Sequence, residues 1–130
     1  MATVKQFEDM VAWQKSRELT REVYSAFSAC KDMGFRDQIQ RASVSVMSNI
    51  AEGFERSSRL EFVQFLAIAK GSCGEVKSQL YRAVDQGYIV QSEFDDLYEL
   101  CDKLASGIAG FIQYLNKSPY KGQKFKDRSS

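Results

Sequence analysis

Histidine is absent from all 130 residues of this sequence. Histidine is the base in Ser-His and Cys-His nucleophile pairs, and it supplies ligands to H-E-x-x-H zinc sites and to the Glu-x-x-His motif of di-iron bundles. Its absence excludes all of these chemistries. An enzyme would have to depend on Glu52 and Glu75 as paired carboxylates, with no metal motif beside them. We therefore expect no enzyme, no catalytic residue, no metal site and no cofactor.

Cysteine is scarce and its positions form no motif. The three residues, Cys30, Cys73 and Cys101, are odd in number and lack C-x-x-C spacing. This argues against a disulfide framework and against a zinc site. Cys73 and Cys101 fall on apolar helical stripes, where cysteine is a small core residue.

Long apolar runs are missing too. The sequence has no stretch of about 18 consecutive apolar residues and no charged-then-apolar leader. It therefore predicts neither a membrane span nor a secretory signal, and we expect a cytoplasmic protein without a membrane partner. The formal net charge is only +1, so whole-chain charge does not favour nucleic acid, and such a partner would need a local patch.

Proline occurs only once, at Pro119, and apolar residues recur at spacings of three and four. This pattern predicts an all-α chain folded as an antiparallel up-down-up-down four-helix bundle. We expect a single bundle domain at residues 1–118 and a flexible basic tail at 119–130. The predicted helices cover about residues 9–30, 35–54, 58–87 and 93–116. The predicted core lines are Phe62, Leu66, Ala69, Cys73, Val76, Leu80, Ala83 and Gly87 on the third helix, and Phe94, Leu97, Cys101, Leu104, Ile108, Phe111 and Leu115 on the fourth.

Local signals mark the ends of these helices. Gly53, followed by Glu55 to Ser57, is predicted to end the second helix near residue 54, and Gly87 is predicted to end the third. Ser58 and Glu61 have the sequence pattern of a capping box at the start of the third helix. Ser92 and Asp95 have the same spacing and predict a similar cap at the start of the fourth.

The second predicted helix carries more apolar surface than a bundle core requires. One stripe, with Ile39 and Val46, suits the core, and a neighbouring stripe suits a partner subunit. We expect oligomer contacts at Trp13, Val44, Met47 and Phe54.

A separate polar line on the same helix is predicted to face the third helix. The turn between the second and third predicted helices centres near residue 56, so residues whose numbers sum to about 112 should lie side by side. This places Arg41 beside Gly71, with Glu75, one turn further on, as its candidate partner. Gly71 and Gly74 each cost a helix interior about 1 kcal/mol relative to alanine, which predicts a close approach there by a backbone or a large side chain. The expected structural polar network or subunit interface contains Arg41, Ser45, Asn49, Glu52, Ser72 and Glu75. The alternative is that this line contacts a ligand around a pore.

Charge is unevenly distributed along the chain. Six acids and no lysine or arginine occur between Asp85 and Asp102, whereas the tail is basic. The alternative to phosphate binding is a plain solvated surface, because acids interleave the basic residues. The candidate nucleic-acid contacts are Arg36, Arg56, Arg59, Lys70, Lys121, Lys124 and Lys126.

Three segments resemble the four-helix bundle family of 23S rRNA intervening-sequence proteins. They read V-A-W-Q-K-S at 11–16, Q-I-Q-R-A-S-V-S-V-M-S-N-I-A-E-G at 38–53 and E-F-V-Q-F-L-A-I-A-K-G-S-C-G-E at 61–75. The resemblance covers about residues 7–116 and implies a left-handed bundle that assembles as a ring of five. Ser48 stands where the family commonly has proline, so the second helix should be locally straighter.

The sequence therefore predicts a non-enzymatic, homo-oligomeric binding or scaffold module, which the resemblance implies is a pentamer, with RNA or DNA as the leading partner class. The alternative is a protein-interaction adaptor without nucleic-acid binding, which uses the acidic segment or the basic tail to recruit another protein.

Overall fold

The structure is a computed structural model that describes residues 4–117, and the tail predicted at 119–130 lies outside these residues. A short 3-10 helix, Phe7–Asp9, precedes four helices. Helices α1 and α3 each pack against α2 and α4, so the predicted all-α four-helix architecture is confirmed. Within 4–117, no helix is long and apolar enough to cross a membrane. The helices are α1 Val11–Ala26, α2 Met33–Phe54, α3 Arg59–Asp85 and α4 Gln91–Lys117.

The core follows the predicted apolar lines. In α3 and α4 every buried residue belongs to a line with alternating steps of four and three, the spacing of near-parallel packed helices. Cys73 and Cys101 are fully buried, and the Cys101 thiol donates to the Cys73 carbonyl oxygen at 3.3 Å, which confirms their core positions. The α3 line is Phe62, Leu66, Ala69, Cys73, Val76, Leu80 and Ala83, and the α4 line is Phe94, Leu97, Cys101, Leu104, Ile108, Phe111 and Leu115.

Side-chain caps set the helix starts. Asp32 accepts a hydrogen bond from the Phe35 amide at 3.1 Å, so α2 begins at Met33, two residues earlier than predicted. The Ser58 hydroxyl accepts from the Glu61 amide at 3.2 Å, as the predicted capping box requires.

Helix α4 begins differently from the prediction. The Val90 amide donates to a carboxylate oxygen of Glu93 at 3.0 Å, and the helix starts at Gln91. Ser92 therefore lies inside the first turn, and its predicted capping role is wrong. The Glu93 carboxylate thus accepts the hydrogen bond of the backbone amide that precedes the helix, the role that the third residue plays in a capping box.

The two predicted terminal glycines have different roles. Gly87 has φ +75° and follows the end of α3, and the Tyr88 amide donates to the Ala83 carbonyl at 2.8 Å. This geometry confirms the predicted stop, since glycine adopts this conformation without strain. Helix α2 ends at Phe54, where it was predicted to end, but Gly53 lies inside its last turn and has a second role. A Cβ at Gly53 would lie 2.6 Å from the Phe65 Cβ, so this glycine permits the close approach of α2 and α3 beside their turn.

Candidate functional site

The polar line of α2 forms a small hydrogen-bond network with α3. The Ser45 and Ser72 hydroxyl oxygens are 2.8 Å apart across the helix pair. The Asn49 side-chain amide donates to the Ser45 carbonyl at 2.8 Å and to its hydroxyl oxygen at 3.0 Å. All three side chains are half-buried. Half of the six residues expected in the network are therefore directly connected.

The other three members lie on the surface. Arg41 forms an ion pair with Asp37, one turn earlier on α2, at 2.9 Å, and its side chain is 80% exposed. Its predicted pairing with Glu75 is therefore wrong. Glu52, in the last turn of α2, forms an ion pair at 2.8 Å with Arg56, which follows the end of α2. Exposed ion pairs of this kind contribute about 0.2–1 kcal/mol to the free energy of unfolding, so these contacts do not fix the helix register.

The register of α2 against α3 differs from the prediction by about one helical turn. Contacting pairs such as Ser45 with Ser72, and Gln38 with Gln79 at 3.3 Å, have residue numbers that sum to 117 rather than about 112. Helical side chains lean toward the N-terminus of their own helix. In this antiparallel pair, the α2 side chains therefore lean away from the turn that connects the helices, and the α3 side chains lean toward that turn. Two residues whose side chains touch therefore have numbers with a higher sum than the value of about 112 expected from the position of the turn alone.

Gly71 and Gly74 face open space. A Cβ built at either position would meet nothing within 4 Å, so the predicted close approach does not occur within the described chain. Both glycines line an open surface groove of about 490 Å³ between α3 and α4. Its other lining residues are Ala67, Lys70, Lys77, Ala105 and Ile112.

The four predicted oligomer contacts have different degrees of exposure. Val44 is 37% exposed, while Met47 and Trp13 are half-buried. Phe54 is only 2% exposed and packs edge-on against Phe62, with ring centroids 6.0 Å apart. The prediction for Phe54 is therefore wrong, because the chain reversal after α2 places the first turn of α3 over it.

Arg36, a predicted nucleic-acid contact, has a structural position. Its guanidinium donates to the carbonyl oxygens of Ser28 and Cys30 at 3.3 and 3.4 Å. These carbonyls belong to the turn that follows α1, where no further helical turn supplies donors to them. The arginine thus fastens the start of α2 to the end of α1.

The remaining described basic candidates lie near the α2–α3 turn and on α3. Arg56 pairs with Glu52, and its guanidinium lies 4.8 Å from the centre of the Phe65 ring. Arg59 is half-buried and Lys70 is exposed. Lys121, Lys124 and Lys126 lie outside the described residues. Within 4–117 the positive charge available to a phosphate is therefore smaller than the sequence suggested.

An acidic groove lies between the end of α1 and the start of α4. It encloses about 340 Å³ and is lined by four carboxylates and by the apolar side chains of Ala26, Leu97 and Leu100. The apolar residues are buried or half-buried, whereas the carboxylates are exposed, so the carboxylates form a rim around an apolar floor. In the described part of the chain, no group of three or more histidine, cysteine or acidic side chains is placed to hold a metal ion. The rim consists of Glu18, Glu22, Glu93 and Asp96.

Sequence reasoning found only half of this acidic groove. The acids of α4 belong to the segment already noted, but those of α1 were missed. Glu18 and Glu22 are four residues apart, which places them on one face of a helix. In an up-down-up-down bundle the end of the first helix adjoins the start of the fourth. This combination of spacing and topology was the signal that could have found the groove.

A contact between two turns was also missed. The Tyr88 hydroxyl donates to Asp32 at 2.5 Å, and Asp32 also caps α2. The hydrogen bond from Tyr88, followed by that from the Phe35 amide, holds the pKa of the Asp32 carboxyl below its ordinary value. The same bond raises the pKa of the Tyr88 phenol. The partners are 56 residues apart, and no local pattern connects them.

Comparisons with known proteins agree with this architecture. The model of the family described as 23S rRNA-intervening sequence protein matches residues 8–110. The chain is also similar to a protein of unknown function from the S23 ribosomal protein family of Bacteroides thetaiotaomicron VPI-5482. That crystal structure has a TM-score of 0.75 and 22% sequence identity, covering 79% of this chain and 99% of its own. At this identity the likeness shows the fold alone. No curated protein matches the sequence.

Proposed function

The chain belongs to the family of 23S rRNA-intervening sequence proteins, and from this premise and its surface we propose that it is a non-enzymatic, homo-oligomeric binding module. Neither the family description nor that of the similar structure names an enzymatic activity. The observation that carries the proposal is the open groove at Gly71 and Gly74, where a Cβ on either mid-helix glycine would meet nothing within 4 Å among residues 4–117.

Exposed apolar side chains on α2 and α3 support assembly. Val44 is 37%, Leu60 67% and Ile68 53% exposed. Isolated exposed apolar residues are common on monomers, and none of these three lines the groove. The groove itself is lined by small and aliphatic residues, among them Ala67, Ala105 and Ile112, which admit the close approach of another helix. The proposed occupant is a second copy of the chain, and the resemblance implies a ring of five.

Light scattering after size-exclusion chromatography tests the assembly. We expect a mass near 74 kDa, five times the 14.8 kDa chain, and a mass of one chain at every concentration would refute the proposal. Gly74→Glu should reduce the mass, because its Cβ meets nothing within 4 Å and its charged side chain would extend from the groove surface. Gly110→Glu is the matched control, since Gly110 also faces open space but does not line this groove. Unchanged assembly of Gly74→Glu would exclude the groove as the interface.

RNA or DNA is the proposed partner class. Lys70 is exposed at the edge of the groove, and a ring would repeat each such cation in every subunit, which strengthens weak phosphate contacts. Filter binding across a salt series should show affinity that falls as salt rises. Because Lys70 borders the proposed interface, Lys70→Glu is compared at the oligomer mass of the wild type, where its slope should be smaller than that of the exposed control Lys15→Glu. Absence of salt-dependent retention would end this part of the proposal.

The second candidate function is a protein-interaction adaptor, which the acidic groove favours. Four carboxylates around an apolar floor suit a basic segment with an apolar side chain. A protein that remains bound after nuclease treatment, and that is released by Glu22→Gln combined with Asp96→Asn, would support this alternative over nucleic-acid binding.

A further inference from the structure

Two thiols meet inside the bundle at one level of the α3–α4 pair. The Cys101 thiol donates to the Cys73 carbonyl oxygen at 3.3 Å, and the two side chains also hydrogen-bond to each other. Both cysteines are free thiols and fully buried. Their numbers sum to 174, and ring contacts on either side of them have sums of 173 and 175, at Phe62 with Phe111 and at Tyr81 with Phe94. The structure therefore holds a dithiol in contact across two helices.

Helix packing brings these positions within the reach of a disulfide. Axes of packed helices lie about 8–10 Å apart and α-carbons lie about 2.3 Å from each axis, so directly facing α-carbons are about 3.4–5.4 Å apart. A disulfide joins α-carbons that are about 4.4–6.8 Å apart. Small side chains keep the helices close at this level, because Ala69 and Ala105, one turn away, have the same sum of residue numbers as the two cysteines. Linkage of the sulfurs therefore needs no separation of the helices.

The surroundings give the two thiols different roles. The hydrogen bond from Cys101 and, with it, the nearby cation of Lys77 lower the pKa of the Cys73 thiol, although burial opposes them. The hydrogen bond to Cys73 and burial raise the pKa of the Cys101 thiol. Lys77 is held in place by an ion pair with Asp102 at 2.7 Å, and its side chain is only 23% exposed. Because the thiolate is the nucleophile, Cys73 is the attacking sulfur and Cys101 the sulfur that keeps its proton.

A route for a small oxidant lies beside the thiols. The surface groove between α3 and α4 is lined by Gly74 and Lys77, which follow Cys73 by one and four residues, and by Ala105, which follows Cys101 by four. Glycine and alanine leave little side chain between this groove and the sulfurs. Hydrogen peroxide is close to water in size, and subunit interfaces hold bridging water. A second copy seated in the groove would therefore slow this access without closing it.

We propose that Cys73 and Cys101 form an oxidation site that takes hydrogen peroxide and closes a reversible disulfide between α3 and α4. The Cys73 thiolate attacks one peroxide oxygen, so that an S–O bond forms, the O–O bond breaks, and the departing hydroxide takes up the proton that Cys73 released. The Cys101 sulfur then attacks the Cys73 sulfur, the S–O bond breaks, and water leaves with the Cys101 proton. Two thiols and one hydrogen peroxide become one disulfide and two waters. The site lies within one bundle and does not rest on the proposed assembly.

Peroxide oxidation of the folded Cys30→Ser protein, which lacks the third thiol, tests the site. We expect the intact mass to fall by that of two hydrogen atoms and peptide mapping to show Cys73 linked to Cys101, with full reversal by dithiothreitol. At one chain concentration, the linked form should have a Tm about 8–16 °C above that of the reduced form, the usual effect of closing a loop of this length. Thiols that stay unlinked under conditions that link the urea-unfolded chain would overturn the proposal, as would a linked form with an unchanged or lower Tm.

Two further measurements separate a native site from oxidation of the unfolded chain. The linking rate should stay constant at low urea concentrations that raise the unfolded fraction about tenfold. A rate that rises in proportion would show that only unfolded chains react and would overturn the proposal. In Cys101→Ala, dimedone should trap a sulfenic acid at Cys73, whereas in the matched variant Cys73→Ala the trapping at Cys101 should be about tenfold lower. Equal trapping at the two positions would overturn the assigned roles.

Discussion

Substitution of Gly53 by alanine tests whether α2 and α3 approach as closely as the structure requires. The new Cβ would lie 2.6 Å from the Phe65 Cβ and 3.4 Å from the Phe62 carbonyl oxygen. Both of these atoms are fixed to α3, so rotation of a side chain cannot relieve the clash. Overpacking of a core costs about 1–3 kcal/mol, and we expect the upper part of this range, because the helices themselves must separate.

The helix propensity of alanine opposes this cost. Alanine in a helix interior is about 1 kcal/mol more favourable than glycine, which leaves a net loss of about 1–2 kcal/mol in the free energy of unfolding. With about 2.1 cal/mol/K of unfolding entropy per residue, a folded unit of this size loses about 4 °C of Tm per kcal/mol. Gly53→Ala should therefore lower the Tm by about 4–8 °C.

Thermal and urea unfolding followed by circular dichroism measure this change, at one fixed chain concentration because assembly would raise the Tm. Gly110→Ala is the matched control: it also lies within a helix, and its Cβ would meet nothing within 4 Å. The control should raise the Tm by about 2–4 °C, from a gain of about 0.5–1 kcal/mol. A Gly53→Ala protein as stable as the wild type would refute the close approach.

Two other pairs of side chains give predictions. Asp32 has a pKa below its ordinary value of 3.8 in the folded chain, so its contribution to stability is present above that value and is lost as the pH falls through the lowered one. Asp32→Asn and Tyr88→Phe should both reduce the loss of stability on acidification below about pH 4, measured by urea unfolding at several pH values; an unchanged acid dependence would contradict this. For Ser45 and Ser72, alanine substitutions singly and together should give a coupling free energy of about 0.5–1.5 kcal/mol, typical of an intramolecular hydrogen bond, and strict additivity would show that the contact contributes nothing.

The helix interiors could be predicted from the sequence because burial there depends on one periodicity. Every predicted core position of α4, from Phe94 to Leu115, is buried. A helical residue in a bundle either faces the interior or does not, and steps of three and four determine which. The prediction needed no knowledge of the neighbouring helix.

The predictions for Arg41 and Phe54 were wrong because helical periodicity determines neither which ion-pair partner a side chain selects nor how the chain folds back after a helix. Arg41 pairs with Asp37 on its own helix, because a partner four residues away is brought into reach by helix formation alone. The observed register, in which the numbers of contacting residues sum to 117, places Glu75 nearly level with Arg41. The partner on the same helix therefore prevailed over a partner on α3 that lay close in register. Phe54 has the period of an outer stripe, yet the chain folds back over it.

The α3 glycines connect the fold to the proposed assembly. Each costs the helix about 1 kcal/mol relative to alanine, and at Gly53 the same cost is offset by close helix packing that a Cβ would prevent. At Gly71 and Gly74 no neighbour within the described chain would be displaced by a Cβ, so no packing among the described residues of one subunit offsets the cost. A helix of a second copy seated in the groove would supply the missing close packing. The energetic argument that made these glycines notable in the sequence therefore supports an interface between chains rather than one within the bundle.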